Sequence, residues 1–286
     1  MRLYILGAGV PTPSPDRFGS SYVLQVGNDH LMFDCGPATT HKLVKMGLWP
    51  TQIDYLFFTH HHFDHDVDYP CFLLTRWDQS IGKEAQLKVF GPTLTERLTR
   101  RLLDEEEGAF AHDWIARINH PLSLGAYQER GGKLPRKPPS VDARDVGPGK
   151  VFSGPDWEVT AAPAEHVQPY LDSLAYRLDS EEGSVVVTGD TRPCQSVVDL
   201  ARGCDVLVCL CVDVQEDIDG TPEAEYMCGS TEAARMAQEA GAKRLVLVHE
   251  RPDLDRPGGA ERALRDVARE YDGPVVWGRE LMTVEV

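Results

Sequence analysis

The chain runs to 286 residues, 42% hydrophobic and 26% charged, which is enough apolar material for a large core in one sizeable domain. No stretch approaches the roughly 20 apolar residues of a bilayer span. The opening Met1-Arg2-Leu3-Tyr4-Ile5-Leu6-Gly7 is too short for a secretory signal, so a cytoplasmic location is expected. With 45 acidic and 29 basic residues the net charge is −16, a field that speaks against nucleic acid as a partner unless a local basic patch overrides it.

Short runs rich in Val, Leu, Ile and Tyr at 2–7, 21–27 and 30–34, separated by Gly, Pro or Asn, predict successive strands. A helix is expected over 37–47, with Pro37 in its first turn and Gly47 as its stop. Ile53 to Thr59 reads as a buried strand, and Thr93 to Glu107 as an amphipathic helix after Gly91-Pro92. Residues 108–150 differ: five prolines from Pro121 to Pro148, several glycines and the basic stretch Arg130-Gly-Gly-Lys133-Leu-Pro-Arg136-Lys137 predict an insertion, serving as a lid or a dimer arm or forming an ordinary long surface loop. A homodimer is therefore admitted.

In the second half, 151–162, 173–178, 184–188, 205–212, 244–248, 274–277 and 282–286 read as strands, and 193–202, 231–241 and 260–271 as helices. Two strand-rich halves that each turn to strand–helix alternation predict a four-layer αββα sandwich of the α/β class, with two sheets face to face and helices outside. The seven cysteines form no C-x-x-C pair, and Cys209 and Cys211 lie in the apolar run 206–212, as buried thiols of a reducing compartment.

The chemistry concentrates in Thr59-His60-His61-His62-Phe63-Asp64-His65, which holds four of the ten histidines. Imidazole nitrogen is a favoured zinc donor, and carboxylate oxygen suits a harder position. His60 and His62, two apart at the end of a strand, point to one side, and His61 points to the other. Asp64 and His65 follow where the chain turns, so one segment can serve two ions. It cannot close both coordination shells. His166, Asp190 and His249 are the further candidates, because each follows an apolar strand where it gives way to a loop. His30, His41, His112 and His120 lack that placement.

This pattern resembles the metallo-β-lactamase superfamily over nearly the whole chain, and within it the ribonuclease Z and arylsulfatase-like branch. The resemblance rests on Leu6-Gly7-Ala8-Gly9-Val10-Pro11-Thr12-Pro13, Phe33-Asp34-Cys35-Gly36, the 60–65 cluster and Gly189-Asp190-Thr191-Arg192-Pro193. It implies that His60, His62 and His166 hold one metal, that Asp64, His65 and His249 hold the other, and that Asp190 bridges them. Asp34 would then support the loop through hydrogen bonds without binding metal. The chain departs from ribonuclease Z where a His-Glu-Ala-Thr stretch is replaced by Cys209-Leu210-Cys211-Val212, where a His-x-Thr becomes Gly229-Ser230-Thr231, and after the last histidine, at Glu250-Arg251-Pro252.

The expected activity is hydrolysis by a hydroxide generated between two zinc ions, with iron or manganese as alternatives and no organic cofactor. Asp64 would orient the nucleophile or carry its proton. The departures and the net charge favour an ester, lactone, thioester or amide of a small molecule, with a phosphodiester or sulfate as the alternative. Trp114, Tyr127 and Tyr170 are candidate pocket aromatics. A diiron redox enzyme on the same scaffold is a rival reading, but such relatives resemble a His-x-Glu-x-Asp pattern where this chain has His62.

Overall fold

Strands form wherever the sequence places short β-branched and aromatic runs between turn residues, and they sort into two sheets by which faces must be dry. The computed structural model describes residues 1–82 and 85–286. The strands are β1 (Arg2–Gly7), β2 (Ser21–Val26), β3 (Asp29–Phe33), β4 (Ile53–Phe57), β5 (Leu87–Gly91), β6 (Val141–Asp145), β7 (Gly149–Ser153), β8 (Trp157–Pro163), β9 (Leu174–Ser180), β10 (Gly183–Val187), β11 (Val206–Leu210), β12 (Leu245–Val248), β13 (Val275–Trp277) and β14 (Met282–Glu285). One sheet has the order β14-β1-β2-β3-β4-β5-β6, the other β13-β12-β11-β10-β9-β8-β7. Each is antiparallel through its earlier strands and parallel through its later ones, except that the chain's last strand, β14, returns to pair antiparallel with β1. The parallel strands β11 and β12 are buried on both faces and read as unbroken apolar runs, as such strands must.

The helices are α1 (Thr39–Lys45), α2 (Phe63–Asp66), α3 (Tyr69–Gln79), α4 (Thr95–Leu103), α5 (Ala111–Asn119), α6 (Pro121–Glu129), α7 (Gln195–Leu200), α8 (Gln215–Ile218), α9 (Ser230–Ala240) and α10 (Gly259–Glu270). Leu43 of α1, Tyr69, Phe72 and Leu73 of α3 and Leu102 of α4 cover the outer face of the first sheet. Val197 and Val198 of α7, the alanines of α9 and Val267 of α10 cover the second. Between the sheets, Phe57 packs on Phe33 at 5.2 Å, Phe90 at 5.1 Å and Tyr176 at 5.6 Å between ring centroids. This is the four-layer αββα sandwich expected from the alternation. Among the described residues no helix is long and apolar enough to cross a membrane.

Local chemistry explains where the elements depart from the sequence reading. The single strand expected at 151–162 is the hairpin β7–β8, broken at Gly154-Pro155, where the Gly154 N–H donates to Trp157 O at 2.9 Å. The helix expected from Thr93 to Glu107 is shorter, because Leu94 takes a left-handed φ of 99° and Asp104 accepts from the N–H groups of Glu106 and Glu107. Helix α3 was not anticipated, although Pro70 sits in its first turn and Tyr69, Phe72, Leu73 and Arg76 form its buried face.

The 108–150 segment carries regular structure: α5, α6, the edge strand β6 and the start of β7. The Trp114 indole donates to Leu103 O at the C-terminal end of α4, and Arg117, Arg130 and Arg136 converge on Asp78 at the C-terminal end of α3. Eleven residues of α3, about 16 Å of helix, separate that end from the histidine loop that precedes it. These contacts hold α5, α6 and the basic turn away from the histidine loop. Trp114 and Tyr127, buried within this packing, therefore do not line the pocket proposed for them, whereas Tyr170, 92% exposed, stands four residues beyond His166.

Candidate metal centre

Strand direction builds the site. β8, β10 and β12 run the same way in the second sheet, so His166, Asp190 and His249, each just past a strand end, emerge at one edge. The 58–65 loop leaves β4 at the facing edge of the first sheet. The Leu174 N–H donates to Thr59 O at 2.9 Å and the Tyr176 hydroxyl to Phe58 O at 2.9 Å, which ties the two edges together.

All seven candidate ligands converge. His60, His62, His166 and Asp190 form one set of donor atoms lying within 4.8 Å of one another, and Asp64, His65 and His249 form a second. Asp190 reaches into both: its Oδ2 lies 3.9 Å from His60 Nε2, 3.9 Å from His166 Nε2 and 3.3 Å from His249 Nε2, and its Oδ1 lies 3.4 Å from His65 Nε2. Asp64 Oδ2 is 3.3 Å from His249 Nε2 and 3.5 Å from His65 Nε2.

Hydrogen bonds around the site decide which nitrogens face inward. Asp34 Oδ1 accepts from the Thr59 N–H at 2.7 Å; its Oδ2 accepts from the Thr59 hydroxyl and from His65 Nδ1, both at 2.8 Å. Having given its proton to Asp34, the Thr59 oxygen accepts from His60 Nδ1 at 3.1 Å. His166 Nδ1 donates to Tyr226 O at 3.0 Å. Three imidazoles are thus held with Nδ1 as the donor and Nε2 turned inward, the arrangement in which partners outside the ligand set fix a ligand's orientation.

The inward nitrogens are crowded: His62 Nδ1 sits 3.0 Å from His60 Nε2 and 3.2 Å from His166 Nε2. Lone pairs at such distances repel, and one proton cannot satisfy three acceptors, so a cation fits this set. His65 Nε2 is buried with no hydrogen-bond partner and faces the carboxylates of the second set.

The electrostatics agree. Burial alone would lower His65, but the charges of Asp190, Asp64 and Asp34 hold it well above the ordinary histidine value. His249 is raised against burial by Asp190 and Asp64. Burial and the neighbouring His65 push His60 well down. Burial would raise Asp190, yet His249 and His65 draw it well below the usual carboxylate range.

Backbone geometry fixes the loop. Asp34 and His249 both hold left-handed conformations, φ 60° and 64°. Such a conformation is costly for a side-chain-bearing residue and persists where surroundings over-determine it. At His249 the restraint is a 2.7 Å bond from its N–H to Ala8 O. A Cβ at Gly36 would meet Asp64 O at 2.2 Å, so Phe33-Asp34-Cys35-Gly36 needs glycine there to let the ligand loop close. His61 points away as expected, bonding Asp66 Oδ2 at 3.2 Å and Thr95 Oγ1 at 2.8 Å.

Several residues at the site had no forecast: Thr59, the hydroxyl that links Asp34 to His60; Tyr226, whose carbonyl orients His166 and whose ring lies 5.6 Å from it; and Glu250, buried against Arg17. Thr59 was legible as the residue before the first histidine. Tyr226 had no sequence signal, since a backbone carbonyl carries none.

Comparison with known proteins gives the same outline. The sequence matches the metallo-β-lactamase superfamily over residues 14–249. It is 29% identical over 293 residues to a protein named Ribonuclease Z from Mycobacterium bovis, covering 100% of this chain and 98% of the relative. It is 32% identical over 291 residues to one of the same name from Mycobacterium avium, covering 99% and 97%. Among solved structures, the metallo-β-lactamase fold protein YhfI from Bacillus subtilis superposes with a TM-score of 0.73 at 19% identity, over 100% of this chain and 99% of that one.

These relatives overturn the expectation of a small-molecule substrate with nucleic acid disfavoured, because proteins named for ribonuclease activity align with this chain from end to end. The error lay in reading a net charge of −16 as if it were uniform, when a polyanion responds to the local field. With the family match spanning most of the chain and the αββα sandwich delivering the His/Asp cluster, the chain belongs to the metallo-β-lactamase superfamily and is a hydrolase of that fold.

Proposed function

We propose that this chain is a metal-dependent phosphodiesterase that cleaves RNA. The observation that carries the reading is that two donor sets share one carboxylate, Asp190, at a strand edge where both can face a single scissile group. The full-length likeness to proteins named Ribonuclease Z supports the phosphodiester among the bonds such a site can break.

Five imidazoles and two carboxylates suit zinc, and two ions are the number the two sets accommodate. When bound, such ions supply an activated water at neutral pH and stabilise charge on phosphoryl oxygens. The chain does the rest. Asp34 and Thr59 hold His65 and His60 with Nε2 inward, and the Tyr226 carbonyl does so for His166. Asp190 and Asp64 set negative charge between the two sets, and Asp64 stands where it can orient the attacking water and take its proton.

The stretch Cys209-Leu210-Cys211-Val212 supplies no acid or base, since all four side chains are buried and burial pushes the Cys209 thiol up to about 12. Seven free thiols, six of them buried, fit a reducing, cytoplasmic setting.

The test is a metal-loaded preparation assayed on an RNA with a 3′ extension, on a chromogenic phosphodiester and on a chromogenic carboxylic ester, with and without chelator. Cleavage of both phosphodiesters that chelation abolishes is expected. Turnover of the ester with both phosphodiesters untouched would overturn the reading.

A further inference from the structure

Asp64 and His249 belong to one donor set but follow strands of opposite sheets, so something must hold those strand ends together. Arg17, its side chain 4% exposed, lies between three of them. Its Nη1 donates to Glu250 Oε2 at 2.6 Å, to Gly278 O at 3.1 Å and to Ala8 O at 3.5 Å. Its Nε and Nη2 donate to the two carboxylate oxygens of Asp255 at 2.7 and 2.9 Å. Ala8 follows β1 of the first sheet, whereas Glu250 and Gly278 lie just past β12 and β13 of the second. One guanidinium thus pins the two sheets together beside the metal centre.

The pin acts on both ligands. The Ala8 carbonyl that Arg17 meets also accepts the N–H groups of His249 at 2.7 Å and Glu250 at 3.1 Å, so it restrains the left-handed backbone of His249. Glu250, fully buried, forms a parallel bridge with Gly9, whose N–H donates to Phe18 O at 2.7 Å. On the other side, a Cβ on Gly19 would stand 2.8 Å from Asp64 Cβ and closer still to the Asp64 carbonyl, so the residue two beyond Arg17 lies directly on Asp64. The first donor set leans elsewhere, His60 on Thr59 and His166 on the Tyr226 carbonyl.

We infer that Arg17 is a positioning residue for the second donor set: by tying Glu250 and the Ala8 carbonyl together it seats His249 against Asp64 and governs how tightly that set holds its ion. The inference rests on the two-ion reading above and not on which bond is cleaved. Residue type supports it. A guanidinium presents five N–H donors in a planar fork, and here the fork meets two carboxylates and two backbone carbonyls. A buried ion pair adds little net stability over apolar side chains of the same size, so the geometry it specifies is the better reason for Arg17 and Glu250. Partners behind a ligand set metal affinity by fixing where the ligand stands.

The experiment titrates zinc into the metal-free wild type, R17Q/E250Q, R17K and D255N, in competition with a chelator, to give one dissociation constant per ion. Anomalous diffraction at the zinc edge locates the ion that remains when one is lost. R76Q/D54N is the control, since Arg76 is likewise buried and paired with Asp54, and it also bonds Ile53 O at the start of β4, the end away from the histidines. For R17Q/E250Q the constant of the second set should rise about 10- to 100-fold, with that of the first set unmoved. R17K should lose less, because lysine keeps the charge facing Glu250 but not the fork. D255N loosens the fork from its partly exposed side and leaves no buried charge unpaired, so it and R17K decide the matter if the double variant fails to fold. The control should melt at a lower temperature with both constants unchanged.

An equal loss at both ions, or a second-set loss as large in the control, shows a merely structural arginine and overturns the inference. So does an unchanged second-set constant in the variants that fold. A wild type that takes up one ion overturns the two-ion reading and this inference with it. RNA cleavage is decided by its own assay, whatever these constants show.

Discussion

The two halves of the chain follow one plan, a sheet that is antiparallel in its earlier strands and parallel in its later ones, yet they furnish the site differently. The first half gives four candidate ligands from one six-residue segment after β4. The second gives His166, Asp190 and His249 from three separate strand ends spread over 84 positions. A local cluster can crowd donors together but cannot surround an ion, because its side chains all leave one short piece of backbone. Ligands from separate strands enclose the ion from other directions, and only a shared sheet edge can align them. The first half therefore concentrates the donors, and the second closes the two sets.

The largest effect should come from the residue that belongs to both sets. Asp190→Ala removes the one carboxylate, among the described residues, that lies against donors of each set, so metal content should fall at both positions together and hydrolysis should be lost. Elemental analysis showing one ion retained at full occupancy would break the idea that the second half closes both.

Next comes the first half's own scaffolding. Asp34→Ala frees His65 and the Thr59 hydroxyl that orients His60. A loss of about 10- to 100-fold in metal affinity or rate is expected. Competition with a chelator of known affinity measures it, and an unchanged affinity would mean that packing alone orients the loop.

A third test asks whether the donors are poised for cations. In the metal-free protein the charges of Asp190, Asp64 and Asp34 raise His65 well above its ordinary 6.5 and favour a proton on Nε2, so its ion-pair contribution to stability is present at lower pH and is lost as pH climbs through that raised value. Metal must displace the proton. Affinity should therefore fall as pH is lowered beneath the raised value, about tenfold per pH unit for each proton displaced. Calorimetry in buffers of different ionisation enthalpy counts those protons, and a count of zero would refute the raised value.

The smallest effect on metal belongs to His61, inside the cluster but facing Asp66 and Thr95. His61→Ala should leave metal content unchanged while costing about 1–2 kcal/mol of stability for its lost hydrogen bonds, read from a denaturant melt. Loss of an ion in this variant would show that the alternation along the loop does not sort ligand from neighbour.

Much of this was legible beforehand because the decisive signals are local. The period of two made His60 and His62 partners and set His61 aside. Apolar runs ending in a lone His or Asp picked out 166, 190 and 249. The αββα layering followed from alternating strands and helices. The helices α3 and α6 were obscured because Pro, Cys and Gly within them weaken a propensity signal that tertiary packing then overrides, and α5 was passed over because it lies between Gly108 and Pro121 in a stretch read as an insertion. Substrate class was misjudged because composition reports a sum over the whole surface.

By itself the sequence determined the donors, their chemistry and the strands that carry them, since residue type and period act over a few neighbours. The tertiary structure alone decided that the seven donors meet, which nitrogen each imidazole turns inward, and that the basic turn of 130–137 sits at the far end of α3 from the metal centre. Those facts depend on sheet order, on carbonyls such as that of Tyr226 and on close approaches such as Gly36 to Asp64. They arise between segments distant in the chain, where no local pattern can record them.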